Sequence, residues 1–470
     1  MPDVIALVDP MRCSNLTLLF FFVVSFTHAQ TSVRDVGAKG DGITDDTAAI
    51  EKAIREHGSV SFPRGTYRLT RTVEIPLGET GFAALSGDGT ARIVMAGAGP
   101  AFFFKGSHGG TAAPSSFMPP VWEKERTPMV SGIEIVGEHA EADGIEAVGT
   151  MQITLSRVVV RKCRHAVHLT TRNRNVLIAD CHFYENSGIG VFLDQLNLHQ
   201  INVVGSHISY NGGGGIVSRG GNVRNLHIGT CDIEGNYSAE GPPAANVELN
   251  STGGSIGEVA ITGCTLQHTS KAPGSANIRI LGAGTDPSLE RRVGRPATRE
   301  GNVTISANVF SDVKVNIEVR EARGVTITGN TFWEGFEQDI LAVNCEHLVI
   351  SANNFDRNPR YAVNGFLDAE NNGLVLKGCT ETSLTGNIIS GVWRQRAAVD
   401  ITDSARLVIS NNHILDSDGA GLRLENVKHS LVTGNLIRDD RSADKRSKEP
   451  SLIEVNGEGN QVSGNLLGNP

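Results

Sequence analysis

The sequence predicts an all-β, right-handed parallel β-helix with an N-terminal capping α-helix, and three observations carry that prediction. A short apolar phrase ending in Asn recurs along the chain at a basic interval of 22 to 25 residues. Gly fills 54 of 470 positions while aromatic residues make up 5 %, a composition suited to many tight turns. Val, Ile and Leu dominate the apolar set, as short strands buried on a parallel sheet require.

The repeat is explicit in Val303-Thr-Ile-Ser-Ala-Asn308, Val325-Thr-Ile-Thr-Gly-Asn330 and Leu348-Val-Ile-Ser-Ala-Asn353, and again at Asn412, Asn435 and Asn465. Extended backwards, the same slot holds Asn387, Cys264, Cys231, Ser206, Cys181 and Arg157. A solenoid of about a dozen coils over residues 30–470 follows, because one such coil cannot bury its own apolar face and must stack on a neighbour. Small polar residues at a tight bend bond to backbone and repeat that bond on the next rung, which accounts for Asn, Ser or Cys in the slot.

The cysteines fit the same logic. Cys264 is expected above Cys231, and Cys379 above Cys345 in a second column, as stacked core thiols rather than disulfides. At the other end of the chain, Thr44-Asp45-Asp46-Thr47 offers helix-capping oxygens, and Ala48, Ala49, Ile50, Ala53 and Ile54 form one apolar face of a short helix. That helix would cover the open end of the stack, and Val60 to Tyr67 would begin the first coil.

Residues 1–29 read as a cleavable signal peptide. Arg12, the apolar run Leu16 to Phe26 and the small-x-small triplet Thr27-His28-Ala29 supply its three regions, with Met11 as the expected start. A secreted or periplasmic location follows. The apolar run is too short for a membrane span. A formal net charge of −9 provides no overall basic field, so a nucleic-acid partner is not expected.

Val33-Arg-Asp-Val-Gly37, Gly40-Asp-Gly42-Ile-Thr-Asp45-Asp46 and Phe62-Pro-Arg-Gly65-Thr-Tyr67 resemble the N-terminal stretch of the pectate-lyase-like superfamily. That superfamily includes rhamnogalacturonase-type hydrolases, pectate lyases, alginate epimerases and phage tailspikes. The resemblance implies the fold and a carbohydrate ligand, and gives Asp45 and Asp46 a structural role in the cap. The catalytic motifs of polygalacturonases and alginate epimerases are absent, so no catalytic residue carries over.

Candidate site residues therefore come from strand alternation, with Val247 inward and Glu248 outward. One outward column reads Glu146, His168, Phe192, Val217, Glu248, Arg279, Glu318 and Leu341, continuing to Asp400, Arg423 and Glu454. Its neighbour holds Asp194, Arg219, Asn250, Leu281 and Arg320, continuing to Glu425 and Asn456. His168, Asp194, Arg219, Glu248, Arg279 and Glu318 are the catalytic candidates. Asn250, Arg320, Trp122, Arg291 and Arg292 are the candidate substrate contacts, the last three on the insertions Gly106–Gly132 and Gly282–Gly301.

β-Elimination on a uronate needs a base and a cation for the developing enolate, which His168 and Arg219 or Arg279 can supply. An inverting hydrolase needs two carboxylates, for which Glu248 and Glu318 are the pair. A charge ladder serving only to neutralise itself is the structural alternative. The basic cluster Arg157, Arg161, Lys162, Arg164, His165, His168, Arg172 and Arg174 favours an anionic polymer. The leading expectation is thus a polysaccharide lyase; a glycoside hydrolase and a non-catalytic carbohydrate-binding solenoid are the other two. Calcium is a candidate ligand at Asp416-Ser-Asp418 and Asp439-Asp440, no other metal spacing is evident, and the oligomeric state is open, a trimer included.

Overall fold

The computed structural model describes residues 30–269, 272–359 and 370–468. The signal-peptide reading, Met11 and Cys13 lie outside the described residues. Thr31–Pro470 forms one compact unit.

Parallel pairing runs through this unit rung by rung. Val167–Ala179 pairs with Ile189–Val204, which pairs in turn with Gly214–Arg219 and Asn222–Gly229. Each coil bends at residues in the left-handed backbone region. Ala307, Gly329, Ala352, Gly386, Asn411 and Gly434 take φ between 53° and 68° immediately before the slot Asn. The side chain of that Asn then bonds upwards: Asn308 Nδ2 donates to Asn330 Oδ1 at 3.1 Å, Asn330 to Asn353 at 3.0 Å and Asn353 to Asn387 at 3.0 Å. Asn387, Asn412 and Asn435 continue the ladder to Asn465 at 2.9 Å per step. These amides are buried, and each such bond satisfies a group that would otherwise be stranded in the core.

Below Asn308 the slot is filled by Cys264, Cys231, Ser206 and Cys181, with Cys264 N donating to Asn308 Oδ1 at 2.9 Å and Cys181 N to Ser206 Oγ at 3.1 Å. At the first position the register expected from sequence is one residue off. Arg157 is the left-handed bend residue, at φ 53°, and the buried Val158 occupies the slot. The top coil also departs from expectation: Arg423 pairs with Ile453 and Glu425 with Val455, so Glu454 and Asn456 leave their columns. The long insertion before Leu452 shifts the strand by one residue, which moves every side chain to the other face.

Beside the Asn slot, Phe310, Phe332 and Phe355 stack at centroid separations of 4.8 and 4.5 Å. All six cysteines at Cys163, Cys181, Cys231, Cys264, Cys345 and Cys379 are buried free thiols.

The capping helix is Thr47–His57. Ile50, Ala53 and Ile54 are buried, whereas Ala48 faces solvent and Ala49 is half-buried, so the apolar stripe is narrower than expected. Asp45 Oδ1 accepts from Thr47 N at 3.0 Å, as a capping residue does, while Asp46 accepts from Lys39 N at 2.6 Å and Gly40 N at 3.0 Å. The acidic pair thus builds the cap. Gly65 has no room for a side chain there, since a Cβ would sit 2.8 Å from the carbonyl of Gly40.

Candidate functional site

The strands that follow each loop turn carry the charged face. Their register places Glu146, His168, Phe192, Val217, Glu248, Arg279, Glu318 and Leu341 on consecutive rungs. Thr170, Asp194, Arg219, Asn250, Leu281 and Arg320 form the adjacent column. Both columns match the sequence expectation through the middle coils.

The upper part of this face is an open cavity of about 570 Å³. Arg219, Glu248, Asn250, Arg279, Glu318 and Arg320 line it, together with Pro243 from the 237–245 insertion and Glu337, Gln338 and Leu341. Arg219 Nε donates to Glu248 Oε1 at 3.0 Å, Arg279 Nε to Glu318 Oε2 at 2.7 Å and Arg320 Nε to Glu318 Oε1 at 2.6 Å. Burial alone would raise the Glu318 carboxyl, but Arg279 and Arg320 outweigh it and hold it below the ordinary carboxylate range. Glu318 is therefore an ionised group clamped by two guanidiniums, which suits it poorly to the role of general acid.

A second ladder supports these strands, and the repeat in the sequence did not disclose it. Asn186, Asn211, Asn236, Asn246, Asn277 and Asn316 pass one side-chain bond each to the next at 2.7–2.8 Å. Asn316 Nδ2 donates to the buried Asp339 at 2.9 Å, and Gly373 N donates to the other Asp339 oxygen at 3.2 Å. Asn246, Asn277 and Asn316 stand two residues before Glu248, Arg279 and Glu318, so the ladder fixes the strand on which each charged group rides. Its signal was Asn186, Asn211 and Asn236 at intervals of 25.

The lower part of the face centres on His168. Its Nε2 lies 3.3 Å from Asp194 Oδ2, its Nδ1 lies 3.9 Å from Glu146 Oε2, and its ring stacks on Phe192 at 5.2 Å. Burial pushes the Glu146 carboxyl up, with His168 opposing it. The neighbouring His165 is pushed down to about 4, chiefly by burial, and its Nδ1 accepts from Ile189 N at 3.0 Å, as a neutral ring does. The guanidinium of Arg219 lies 6.0 Å from the centre of the Phe192 ring and connects the His168 group to the cavity above. Strand alternation places Phe192 in the column but does not disclose its stack on His168.

The other candidates sit elsewhere. Trp122 is half exposed and packs on Phe117 at 5.4 Å, lining a separate pocket of about 460 Å³ with Pro114, Pro119 and Glu123. Arg291 and Arg292 are exposed on the short helix Pro287–Val293 and do not line the groove cavity. The arginines of that insertion that make ion pairs are Arg295, to Glu381 at 3.1 Å, and Arg299, to Glu300 at 2.6 Å. The helix is anchored by these two, which leaves Arg291 and Arg292 on its solvent side.

At the calcium candidates, Arg441 bridges Asp418 at 2.8 Å and Asp439 at 2.7 Å, and Arg438 holds Asp440 at 2.6 Å. A cation there would have to displace a guanidinium. Glu346, His347 and Glu381 also converge, with Arg295, Arg323 and Arg406 around them.

The chain is a right-handed parallel β-helix, and separate stretches of it match different β-helix family models. Residues 30–118 match the family described as rhamnogalacturonase A/epimerase, pectate lyase-like, and residues 130–266 match the right-handed β-helix region. Residues 255–391 and 291–470 match the family described as periplasmic copper-binding protein (NosD). Among curated proteins, the preneck appendage protein of Bacillus phage PZA is 49 % identical over 45 residues, covering 10 % of this chain and 5 % of its own. A glucan 1,3-β-glucosidase of Cochliobolus carbonum is 37 % identical over 73 residues, covering 14 % and 9 %. The chain thus spans a small part of these relatives. The pre-mature gene product 12 of bacteriophage phi29 shares the fold, with a TM-score of 0.54 and 16 % identity over 92 % of this chain and 57 % of that one. Among the described residues no helix is long and apolar enough to cross a membrane.

Proposed function

We propose that this protein is an exported enzyme that cleaves a uronic-acid polysaccharide by β-elimination in the groove running from Glu146 to Leu341. The observation that carries the reading is His168, held between Asp194 and Glu146 on a groove strand, with Arg219 on the rung above Asp194. His168 takes the proton beside the substrate carboxylate. The electron pair left behind forms the ring double bond as the glycosidic C–O bond breaks, and the leaving oxygen receives a proton. Arg219 offsets the negative charge that gathers on the carboxylate, and Asp194 stabilises the imidazolium. Arg279 and Arg320 hold further carboxylates along the groove, their own charge being only partly offset by Glu318.

Hydrolysis is the second reading, and the Glu146 carboxyl favours it, since burial pushes it up toward the acid form that a glycosidase's general acid needs. The Glu248 and Glu318 pair supports hydrolysis less well, because both side chains are engaged by arginine. The test is incubation of residues 30–470 with pectate, alginate, glycosaminoglycans and rhamnogalacturonan. Ultraviolet absorbance from an unsaturated uronate supports elimination, and new reducing ends without that absorbance overturn it in favour of hydrolysis. Binding without either product overturns both. Unchanged turnover in Arg279→Ala or Glu248→Ala removes the upper groove from the site.

A further inference from the structure

Most arginines in or beside the groove are matched to a carboxylate, and a neighbouring group is not. One bend beyond Thr170, Asp194 and Arg219, past the left-handed residues Thr171, Gln195 and Gly220, the chain places Arg174, His199 and Arg224 on three consecutive rungs. Arg172 stands beside Arg174 on the same strand. Arg172 Nη1 donates to the Gly110 carbonyl at 3.0 Å, and Arg174 donates to the Asn197 carbonyl at 2.6 Å and to Asn197 Oδ1 at 2.9 Å. Arg224 donates to the Val223 carbonyl at 2.9 Å and to Ser255 Oγ. Every acceptor is neutral. By contrast Arg161 and Arg164, from the same basic stretch of sequence, are spent on Glu134 at 2.8 Å and Asp143 at 2.5 Å.

Arg172 and Arg174 on one strand and Arg224 two rungs above therefore carry three formal positive charges, with His199 on the rung between and about 4.8 Å per rung. Like charges held this close repel unless an anion lies among them, so the arrangement gains most from a ligand that carries several negative groups in a row. His199 reports the same field: burial first, then Arg174 and Arg224, push its ring below the ordinary value, with Glu258 giving partial relief. Above Arg224 the column continues as the buried Gly257 and Gly301, so the charged stretch ends at Arg224.

We infer that Arg172, His199 and Arg224, backed by the charge of the buried Arg174, form an anion-binding track, separate from the groove, for the regularly spaced carboxylates of a linear acidic polysaccharide. A uronate chain presents one carboxylate per sugar at a repeat close to the rung spacing. A nucleic acid fits less well, because the column has no Phe, Tyr or Trp on which bases would stack. The track binds whether or not the groove turns substrate over, so it can recruit polymer chains to a protein whose overall charge is −9.

The test is titration of polygalacturonate oligomers, a neutral glucan and a single-stranded oligonucleotide into residues 30–470 at two salt concentrations. Arg172→Gln and Arg224→Gln are combined, leaving the nearly buried Arg174 intact, with unchanged circular dichroism as the folding control. The inference expects the polyuronate to bind, the glucan not to bind, and the double variant to lose about tenfold in affinity with a shallower salt dependence. Cleavage of a short uronate oligomer should stay unchanged in that variant, while His168→Gln should lose cleavage and keep the salt-dependent binding. Equal binding by wild type and the double variant overturns the track, as does preference for the oligonucleotide. Column-dependent binding without any cleavage leaves the track standing and overturns the elimination reading.

Discussion

His168 Nε2 and Asp194 Oδ2 lie 3.3 Å apart across two rungs, and the same imidazole is sandwiched against Phe192 at 5.2 Å. The carboxylate fixes which ring nitrogen carries the proton, and the stack fixes the plane of the ring. Positioning of this kind contributes about 10²–10⁴-fold when the ring transfers a proton in the rate-limiting step. His168→Gln is expected to reduce kcat by that range without a comparable change in KM, measured on uronate oligomers. Asp194→Asn should reduce kcat less, because the ring keeps its stack on Phe192 and loses only its carboxylate partner. A kcat unchanged in His168→Gln would remove this residue from the reaction.

Arg279 and Glu318 form a buried pair in the cavity wall, with Arg320 as a second cation on Glu318. Removing one partner of such a pair leaves a charge in a low-dielectric site. Arg279→Ala is expected to cost about 3 kcal/mol, at the low end for a buried pair because Arg320 remains. The pH dependence has a definite sign. Since the folded Glu318 carboxyl sits below its ordinary 4.5, its stabilising contribution is present above that value and is lost as pH falls through the folded value. Acid unfolding followed by circular dichroism should therefore be shallower in Glu318→Gln than in wild type.

Cys231 with Cys264, and Cys345 with Cys379, are buried thiols on successive rungs, each donating to backbone carbonyls. Cys264 and Cys379 are pushed up and Cys231 and Cys345 pushed down by the neighbouring thiol, and burial of all four keeps reagents from either kind. Native protein lacking residues 1–29 should show no fast reaction with an aromatic disulfide reagent, and six thiols should react after unfolding in denaturant. Reaction of fewer than six in the unfolded, unreduced chain would mean that a disulfide exists.

The core of this fold was legible because the repeat exposes it directly. Asn308, Asn330 and Asn353 sit in near-identical phrases, and an identical neighbour is what a ladder of amides needs. The slot is not legible where identity fails: Val158 fills it in place of Asn, Ser or Cys, and the sequence pattern alone sets it one residue early, on the bend residue Arg157. Alternation alone then brought Glu248, Arg279 and Glu318 to one cavity, since period two leaves no freedom once the strand is in register. Partnering was not legible. Whether Arg279 is free or tied to Glu318 depends on rotamers and neighbouring loops, and so does the contrast between Arg164 and Arg172. Trp122, Arg291 and Arg292 lie on insertions, where no repeat constrains position.

Glu334 and Asp312 are side-chain partners in the coil above the cavity, and Glu334 is almost fully buried. Burial first, then the bond to Asp312 and the charges of Asp312 and Glu370, push the Glu334 carboxyl up to about 10. The folded protein thus keeps a proton that the unfolded chain releases near 4.5, so stability falls as pH rises between these values. A Gln at this position donates the same bond to Asp312 without needing a proton. Glu334→Gln is therefore expected to raise the melting temperature at about pH 8 and leave it unchanged at about pH 4, where the native carboxyl is protonated at no cost. A variant that melts lower than wild type at both pH values would show that Glu334 is ionised in the fold, with a cation or Arg357 as its partner.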